Sequence, residues 1–194
     1  MNKIIISLLI TIGFTYAWDL DKKVKLDEGG IIGAHYDIPK YSFLAIVGVA
    51  AYEGSESRFG KTTWQSLDAS VMSQIATEAL KKTTKRNRPR ESDGPTEWGE
   101  GGNSFPSGHV SGMTAMVTPY ILEYQDDYPL VRLLWALPAH QMIGRVKAQA
   151  HWQSDVIAGA LVGFASGYWA HKRENPMLLY FSKDNIYVGL KYGF

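Results

Sequence analysis

Residues Asn103–Gly112 read NSFPSGHVSG and place a histidine directly after a Pro-Ser-Gly turn. Such a turn exposes backbone N–H groups, and the small and apolar residues from Val110 to Ile121 predict a helix directly after it. A helix N-terminus attracts anions, because its first N–H groups are unpaired and the helix dipole is positive there. The stretch therefore suggests that His109 and the Ser107 hydroxyl face one negative group, although a surface histidine after a turn is the commoner explanation of so short a motif.

The composition limits the fold and the classes of partner. The chain has 194 residues, which suits one domain with a hydrophobic core. Because 20 Lys and Arg balance 19 Asp and Glu, the net charge gives no reason to expect a nucleic-acid partner. Cysteine is absent, so disulfide bonds and cysteine metal sites are excluded. A mean hydropathy of −0.15 argues against a bundle of membrane-spanning helices, and no feature indicates an oligomeric state.

Residues 1–17 have the three-part layout of a secretory signal peptide. A positive start ends at Lys3, an apolar run extends from Ile4 to Phe14, and small residues precede Trp18. We predict cleavage between Ala17 and Trp18, export to the periplasm or cell envelope of a bacterium, and a single domain over residues 18–194. An uncleaved membrane anchor is the alternative interpretation of the same residues.

The remaining sequence predicts an all-α fold. Apolar residues recur at helical spacing between residues 66 and 82, and apolar or small residues fill 41–52, 110–124, 130–145 and 155–171. The last of these segments is rich in Ala and Gly, which suits close packing in the middle of a bundle. Apolar residues alternate from Ile186 to Phe194, so we expect a short C-terminal β-hairpin within residues 177–194.

Three clusters contain the residue types that phosphate chemistry needs. Each has a plain structural explanation on its own, such as a basic helix end or a helical pair four residues apart. Together they supply three cations, two of which are guanidinium groups that can hold phosphate oxygens with two parallel hydrogen bonds. The clusters are Lys81 with Arg88-Pro89, Pro106-Ser107-Gly108-His109, and Arg145 with His151 and Asp155.

The same clusters also supply the groups for a reaction. Two histidines are available as nucleophile and acid, and Asp155 is four residues from His151 and so able to fix its tautomer. The Ser107 hydroxyl and the Gly108 amide add neutral donors of the kind found in oxyanion holes. This inventory suits phosphoryl transfer without a metal ion, because positioning and charge neutralisation do most of the work in that reaction.

In this order and spacing, the three motifs resemble the signature of the type 2 phosphatidic acid phosphatase superfamily. That superfamily includes lipid phosphate phosphatases, bacterial class A acid phosphatases and vanadium haloperoxidases, and the resemblance extends from Lys81 to Asp155. It implies the compact helical bundle of the acid phosphatases and haloperoxidases. For single residues it implies that His151 is the nucleophile, that Asp155 orients it, and that His109 protonates the leaving alcohol and then activates water. It also implies a phosphate cradle made of Lys81, Arg88, Ser107, Gly108 and Arg145.

The resemblance implies a phosphatase with a phosphohistidine intermediate, without metal or cofactor, that vanadate inhibits. Its substrates would be phosphate mono- or diphosphate esters, and the short apolar helices and six tryptophans favour envelope lipids and peripheral membrane contact. A non-specific periplasmic acid phosphatase for soluble organic phosphates is the main alternative. A vanadium haloperoxidase, a non-catalytic envelope protein and a divalent-metal hydrolase are weaker ones, the last because three cations would repel the metal.

Overall fold

The structure, a computed structural model, describes residues 20–27, 29–33, 36–173, 179–182 and 185–188. The predicted signal peptide, residues 1–17, lies outside these ranges. Two 3-10 helices cover Pro89–Glu91 and Pro129–Trp135. The other elements are α1 (Gly30–Gly33), α2 (Asp37–Glu53), α3 (Arg58–Thr84), α4 (Gly108–Tyr124), α5 (Ala136–Lys147), α6 (Gln153–His171), β1 (Leu179–Ser182) and β2 (Asn185–Val188).

The all-α fold class is confirmed, and so is the C-terminal hairpin. In the hairpin, β1 and β2 pair antiparallel, with Leu179 opposite Val188 and Ser182 opposite Asn185. Helix α3 starts earlier than predicted, at Arg58, because the Ser57 side chain accepts a hydrogen bond from the Gly60 N–H and caps the helix. The segment predicted as one helix over 130–145 is divided instead into a 3-10 helix and α5.

Helices α3, α4 and α6 pack against one another and form the centre of the molecule. Helix α2 lies over α3 and α4, and α5 packs beside α4 and α6. Three glycines of α6, four residues apart, let its backbone approach α4 closely. A Cβ atom at Gly163 would collide with the Ser111 carbonyl oxygen, and one at Gly167 with the Thr118 side chain. The Ala- and Gly-rich segment therefore lies in the middle of the bundle, as predicted.

The buried face of α3 is made largely of small polar side chains. Two of their hydroxyl groups have partners on α4: Ser66 Oγ donates to the Met116 carbonyl oxygen at 2.6 Å, and Thr77 Oγ1 lies 2.9 Å from Ser111 Oγ. By contrast, Ile75 is 60% exposed although it belongs to the apolar pattern that predicts the helix. Of the helices in the described ranges, none combines the length and the apolar content needed to cross a bilayer.

Candidate active site

The second motif lies at the start of α4, and the predicted turn directly precedes this helix. The helix begins at Gly108, Ser107 is its N-cap residue, and His109 follows in the first turn. Ser107 is completely buried, yet its hydroxyl neither caps the helix nor has any hydrogen-bond partner among the described residues. A buried hydroxyl without a partner costs free energy. This donor is therefore available to a ligand at the helix N-terminus.

His151 lies in the loop between α5 and α6, and it is almost completely buried. Its Nδ1 atom is 2.7 Å from the carbonyl oxygen of Ser104, while the nearer Asp155 oxygen is 3.8 Å away. A carbonyl oxygen can only accept a hydrogen bond, so Nδ1 carries the proton. The Nε2 atom of the neutral ring then has a free lone pair, as a nucleophile requires.

Asp155 was predicted to orient His151, and the structure places Ser104 between the two. The Ser104 hydroxyl donates to Asp155 Oδ2, and the Ser104 carbonyl accepts from His151. The same carboxylate accepts a hydrogen bond from the Trp152 N–H at 2.8 Å, which caps the N-terminus of α6. Asp155 is thus held by the start of α6, and it reaches the imidazole chiefly through Ser104.

Arg86 is a buried cation that the sequence analysis does not single out. Its Nη1 atom donates to Asp155 Oδ1 at 2.6 Å, and its Nη2 atom donates to Asp21 Oδ2 at 2.6 Å. The guanidinium also lies 4.4 Å from the centre of the Trp98 ring. Three charged side chains with almost no exposure therefore form one continuous network beside His151.

Burial and the neighbouring charges set the protonation of the histidine and the aspartate. Burial lowers the pKa of His151 below its ordinary value; Asp155 opposes this, and the positive charges of Arg145 and Arg88 add to it. Burial alone would raise the pKa of Asp155, but His151, Arg86 and the Ser104 hydroxyl outweigh it, so the pKa is lowered. At neutral pH the site therefore holds a neutral imidazole and an ionised carboxylate.

Arg145, in the last turn of α5, is the most deeply buried cation of the predicted cradle, with 4% exposure. Its Nε and Nη1 atoms have no hydrogen-bond partner among the described residues. The guanidinium lies 5.2 Å from the centre of the Tyr36 ring, and burial together with the positive charges of Arg88 and Arg90 lowers its pKa. A buried guanidinium group with unpaired N–H groups is a site for an anion.

Lys81 and Gly108 lie next to each other, as a shared phosphate cradle requires. A Cβ atom at Gly108 would come within 3.4 Å of Lys81 Nζ, so a larger residue there would press on the ammonium group. The ammonium group also pairs with Glu78 Oε1 at 2.9 Å. Lys81, Gly108 and His109 line a common groove, and Arg88 lies close enough to influence the pKa values of both Arg145 and His151.

Backbone hydrogen bonds join the three motifs. The Ser107 N–H donates to the Asp155 carbonyl oxygen at 2.9 Å and so ties the second motif to the third. The Arg90 N–H donates to the Gln149 carbonyl oxygen at 3.2 Å and ties the first motif to the loop that carries His151. Backbone atoms therefore help to fix the relative positions of the motifs, together with the side-chain bonds of Asp155 to Arg86 and Ser104.

The groove opens from the motifs toward α2 and has a volume of about 610 Å3. Besides Lys81, Gly108 and His109, it is lined mainly by apolar side chains. These are Pro39, Phe43, Val71, Ile75, Met113 and Met116.

Comparison with known proteins identifies the family of the chain. The sequence profile of the PAP2 superfamily matches residues 63–176, more than half of the chain. The chain belongs to the PAP2 superfamily. The predicted resemblance is therefore confirmed, and the PAP2 match contains every predicted site residue from Lys81 to Asp155.

Two known proteins are similar to this PAP2 chain. Over 75 residues, 37% of the chain, it is 36% identical to a lipid A 1-phosphatase of Porphyromonas gingivalis, and the match spans 17% of that relative's length. The crystal structure of Aquifex aeolicus LpxE is similar with a TM-score of 0.49 and 19% identity, over 86% of this chain and 87% of that chain.

Proposed function

We propose that this PAP2 protein is a metal-independent phosphatase that hydrolyses phosphate mono- or diphosphate esters of envelope lipids through a phosphohistidine on His151. The observation that carries the proposal is the set of buried donors without partners among the described residues, Ser107 Oγ with Arg145 Nε and Nη1. They lie in the motifs that surround a histidine with a free Nε2. Such donors match the oxygens of a phosphate group.

The reaction has two steps that use the two histidines in turn. His151 Nε2 attacks phosphorus, the bond from phosphorus to the lipid oxygen breaks, and protonated His109 gives its proton to the leaving oxygen. Neutral His109 then takes a proton from a water molecule that attacks the phosphohistidine, and the phosphorus–nitrogen bond breaks. Phosphate leaves, and both histidines return to their starting states. Lys81, Arg88, Ser107, Gly108 and Arg145 hold the phosphoryl oxygens throughout.

The groove supports a lipid substrate rather than a small soluble phosphate. Its apolar walls begin beside His109 and Lys81, so a substrate held by its phosphate would place its remaining atoms against Phe43, Met113 and Met116. Burial of acyl methylene groups there would contribute about 0.8 kcal/mol each. The relative named as a lipid A 1-phosphatase supports the same substrate class.

We also propose a peripheral contact with the envelope membrane, and the surface of α2, the helix beside the groove, supports it. No charged residue occurs from Tyr41 to Tyr52, and Leu44, Val47 and Tyr52 are 56%, 40% and 91% exposed. An exposed apolar helix next to the groove would let lipid enter from a bilayer surface. We place the protein in the periplasm or cell envelope, exported by residues 1–17, with residues 18–194 as one phosphatase domain.

The cradle would also accept vanadate, and we propose that vanadate inhibits by occupying the site of the phosphoryl group. In a haloperoxidase, vanadate would instead support halide oxidation. Peroxidase activity that appears on addition of vanadate, with no phosphate release, would favour that alternative.

The decisive experiment measures phosphate release in excess chelator by protein lacking residues 1–17, on matched lipid and water-soluble phosphates. We expect release to be faster from the lipid, unaffected by chelator, and reduced on the order of 10³-fold or more by His151→Ala. Thermal unfolding of the variant checks that the fold is kept. Faster release from soluble phosphates would favour the acid phosphatase alternative, and release that survives in His151→Ala would exclude the phosphohistidine mechanism.

A further inference from the structure

The described segment at the N-terminal end, residues 21–27, runs along the loop that carries His151. The Lys22 N–H donates to Gln153 Oε1, and Gln153 Nε2 donates back to the Lys22 carbonyl, both at 3.0 Å. Gln149 Nε2 donates to the Val24 carbonyl oxygen at 2.6 Å, and the Asp27 N–H donates to the Lys147 carbonyl oxygen at 3.0 Å. The segment is thus hydrogen-bonded to both sides of His151 in sequence.

Asp21 is the buried end of this segment, with a side chain that is 1% exposed. Its Oδ1 atom accepts the Ser154 N–H at 2.8 Å, and its Oδ2 atom accepts the Ser154 hydroxyl at 2.6 Å. Ser154 is in the first turn of α6, where N–H groups have no partner within the helix. Asp21 therefore caps α6 from a distant part of the chain, next to Asp155.

Arg86 connects the two carboxylates. It donates from Nη2 to Asp21 and from Nη1 to Asp155, both at 2.6 Å, and also from Nη1 to Ser154 Oγ at 2.7 Å. Asp155 in turn contacts His151 through Ser104, whose hydroxyl donates to Asp155 and whose carbonyl accepts from His151. Without Asp21, one side of the buried guanidinium loses its counter-charge and one of its anchors, so Arg86 is held less firmly in the position from which it donates to Asp155.

We propose that Asp21 is a positioning residue of the active site, acting through Arg86 and Ser154 to hold Asp155 and the imidazole of His151. This rests on the proposed phosphatase function, because the effect of Asp21 is on the nucleophile of that reaction. The phosphate cradle makes no contact with Asp21 among the described hydrogen bonds, so its effect is on the chemical step rather than on substrate binding.

The test compares Asp21→Asn with Asp27→Asn, which removes the same charge from the same segment. Asp27 pairs with Lys147 at 3.4 Å, and both side chains are 44% exposed, so its loss should leave kcat unchanged. We expect Asp21→Asn to lower kcat about 10- to 100-fold while KM stays within about twofold. Equal kcat in the two variants would overturn the proposal and leave the phosphatase function standing, since His151→Ala tests that separately.

A second readout needs no turnover. The charges that face His151 are Asp155 on α6, Arg145 on α5, and Arg88 with Arg86 on the segment after α3. Without the negative charge of Asp21, the positive charge of Arg86 is less neutralised, so the positive potential at His151 rises. The pKa of His151 should therefore fall, which NMR titration of the ring measures. An unchanged titration would contradict the proposal even if the protein releases no phosphate.

If Asp21→Asn does not fold, Ser154→Ala gives the same test without removing a buried charge. It deletes the hydroxyl that contacts both Asp21 and Arg86. We expect a smaller loss of kcat at unchanged KM, and wild-type kcat would overturn the proposal.

Discussion

At the scale of single residues, the environment of Arg145 differs from that of a cation on the protein surface. Its guanidinium is buried and has unpaired N–H groups, whereas Lys147 in the same helical turn is half-exposed and pairs with Asp27. Arg145 and Lys147 therefore carry the same charge and lie two residues apart, but only Arg145 is buried.

Arg145→Lys should lower kcat/KM about 10- to 100-fold, because an ammonium group cannot replace two parallel hydrogen bonds to phosphate. Lys147→Arg is the matched control and should have little effect. Steady-state kinetics on a lipid phosphate measure both. Near-normal kinetics in Arg145→Lys would count against the cradle.

The buried neutral state of His151 makes stability depend on pH. The pKa of His151 is lowered in the folded protein, so between that value and the ordinary value of about 6.5 the unfolded chain binds more protons. Stability should therefore be complete above about pH 6.5 and should fall as the pH decreases through this window. Asp155, whose pKa is also lowered, acts in the same direction at more acidic pH.

Urea unfolding at pH 7.5 and 5.5 checks this expectation. His171 also has a pKa lowered by burial, so the wild-type difference must be compared with that of His151→Asn. The variant should lose less stability between the two pH values. An equal loss in both proteins would show that His151 does not contribute. The acid limb of kcat/KM should likewise lie below the ordinary histidine value.

Some site residues could be predicted from sequence and others could not. The three motifs are local, and short spacings such as Pro-Ser-Gly-His fix which groups share a turn. Asp21 is 65 residues from Arg86 and 133 from Ser154, and a contact at such separation has no local pattern. Arg86 belongs to a basic run that suits any helix end, and only its burial distinguishes it.

At the scale of elements, apolar spacing predicted that α3 is a helix but not which face is buried. Ser66, Ser73 and Thr77 are inside, while Ile75 is 60% exposed. Small side chains allow closer helix packing than large apolar ones, and Ser66 and Thr77 also find hydrogen-bond partners on α4. Of the large apolar side chains of α3, Trp64 and Leu67 are buried, whereas Val71 and Ile75 line the groove.

The contact between α4 and α6 predicts which glycine is essential. Gly163→Ala would press a methyl group into the Ser111 carbonyl and the Thr114 side chain, and should destabilise the protein by about 1–3 kcal/mol. Gly48, in α2, has open space around it, so Gly48→Ala should be neutral or stabilising by up to about 1 kcal/mol. Thermal unfolding compares the two, and a stabilising Gly163→Ala would mean that the helices are farther apart.

At the scale of the whole molecule, the proposed membrane contact lies at the exposed apolar surface of α2. Leu44→Glu with Val47→Glu should reduce binding to phospholipid vesicles at least about 10-fold, because each change replaces an exposed apolar side chain that would enter the bilayer surface with a charged one. Release from a soluble phosphate should not change. Leu161→Glu is the control, since Leu161 is 65% exposed on α6, a helix with no residue among those that line the groove.

Co-sedimentation with vesicles measures this effect. Undiminished binding of the α2 variant would contradict a membrane contact at this helix. A loss of vesicle binding in Leu161→Glu alone would indicate that the membrane contact lies on α6.

Helices α3 and α4 each contribute both predicted site residues and apolar residues to the groove, because Lys81 lies on the same helix as Ile75, and His109 on the same helix as Met113. Helix α2 differs: it contributes Pro39 and Phe43, and Tyr36, the residue before it, places its ring beside Arg145. Helix α2 contains none of the predicted site residues, so its side chains can vary without changing the groups proposed to react. We expect an exchange of Phe43 to alter the preference among phosphate esters more than the rate of the reaction itself.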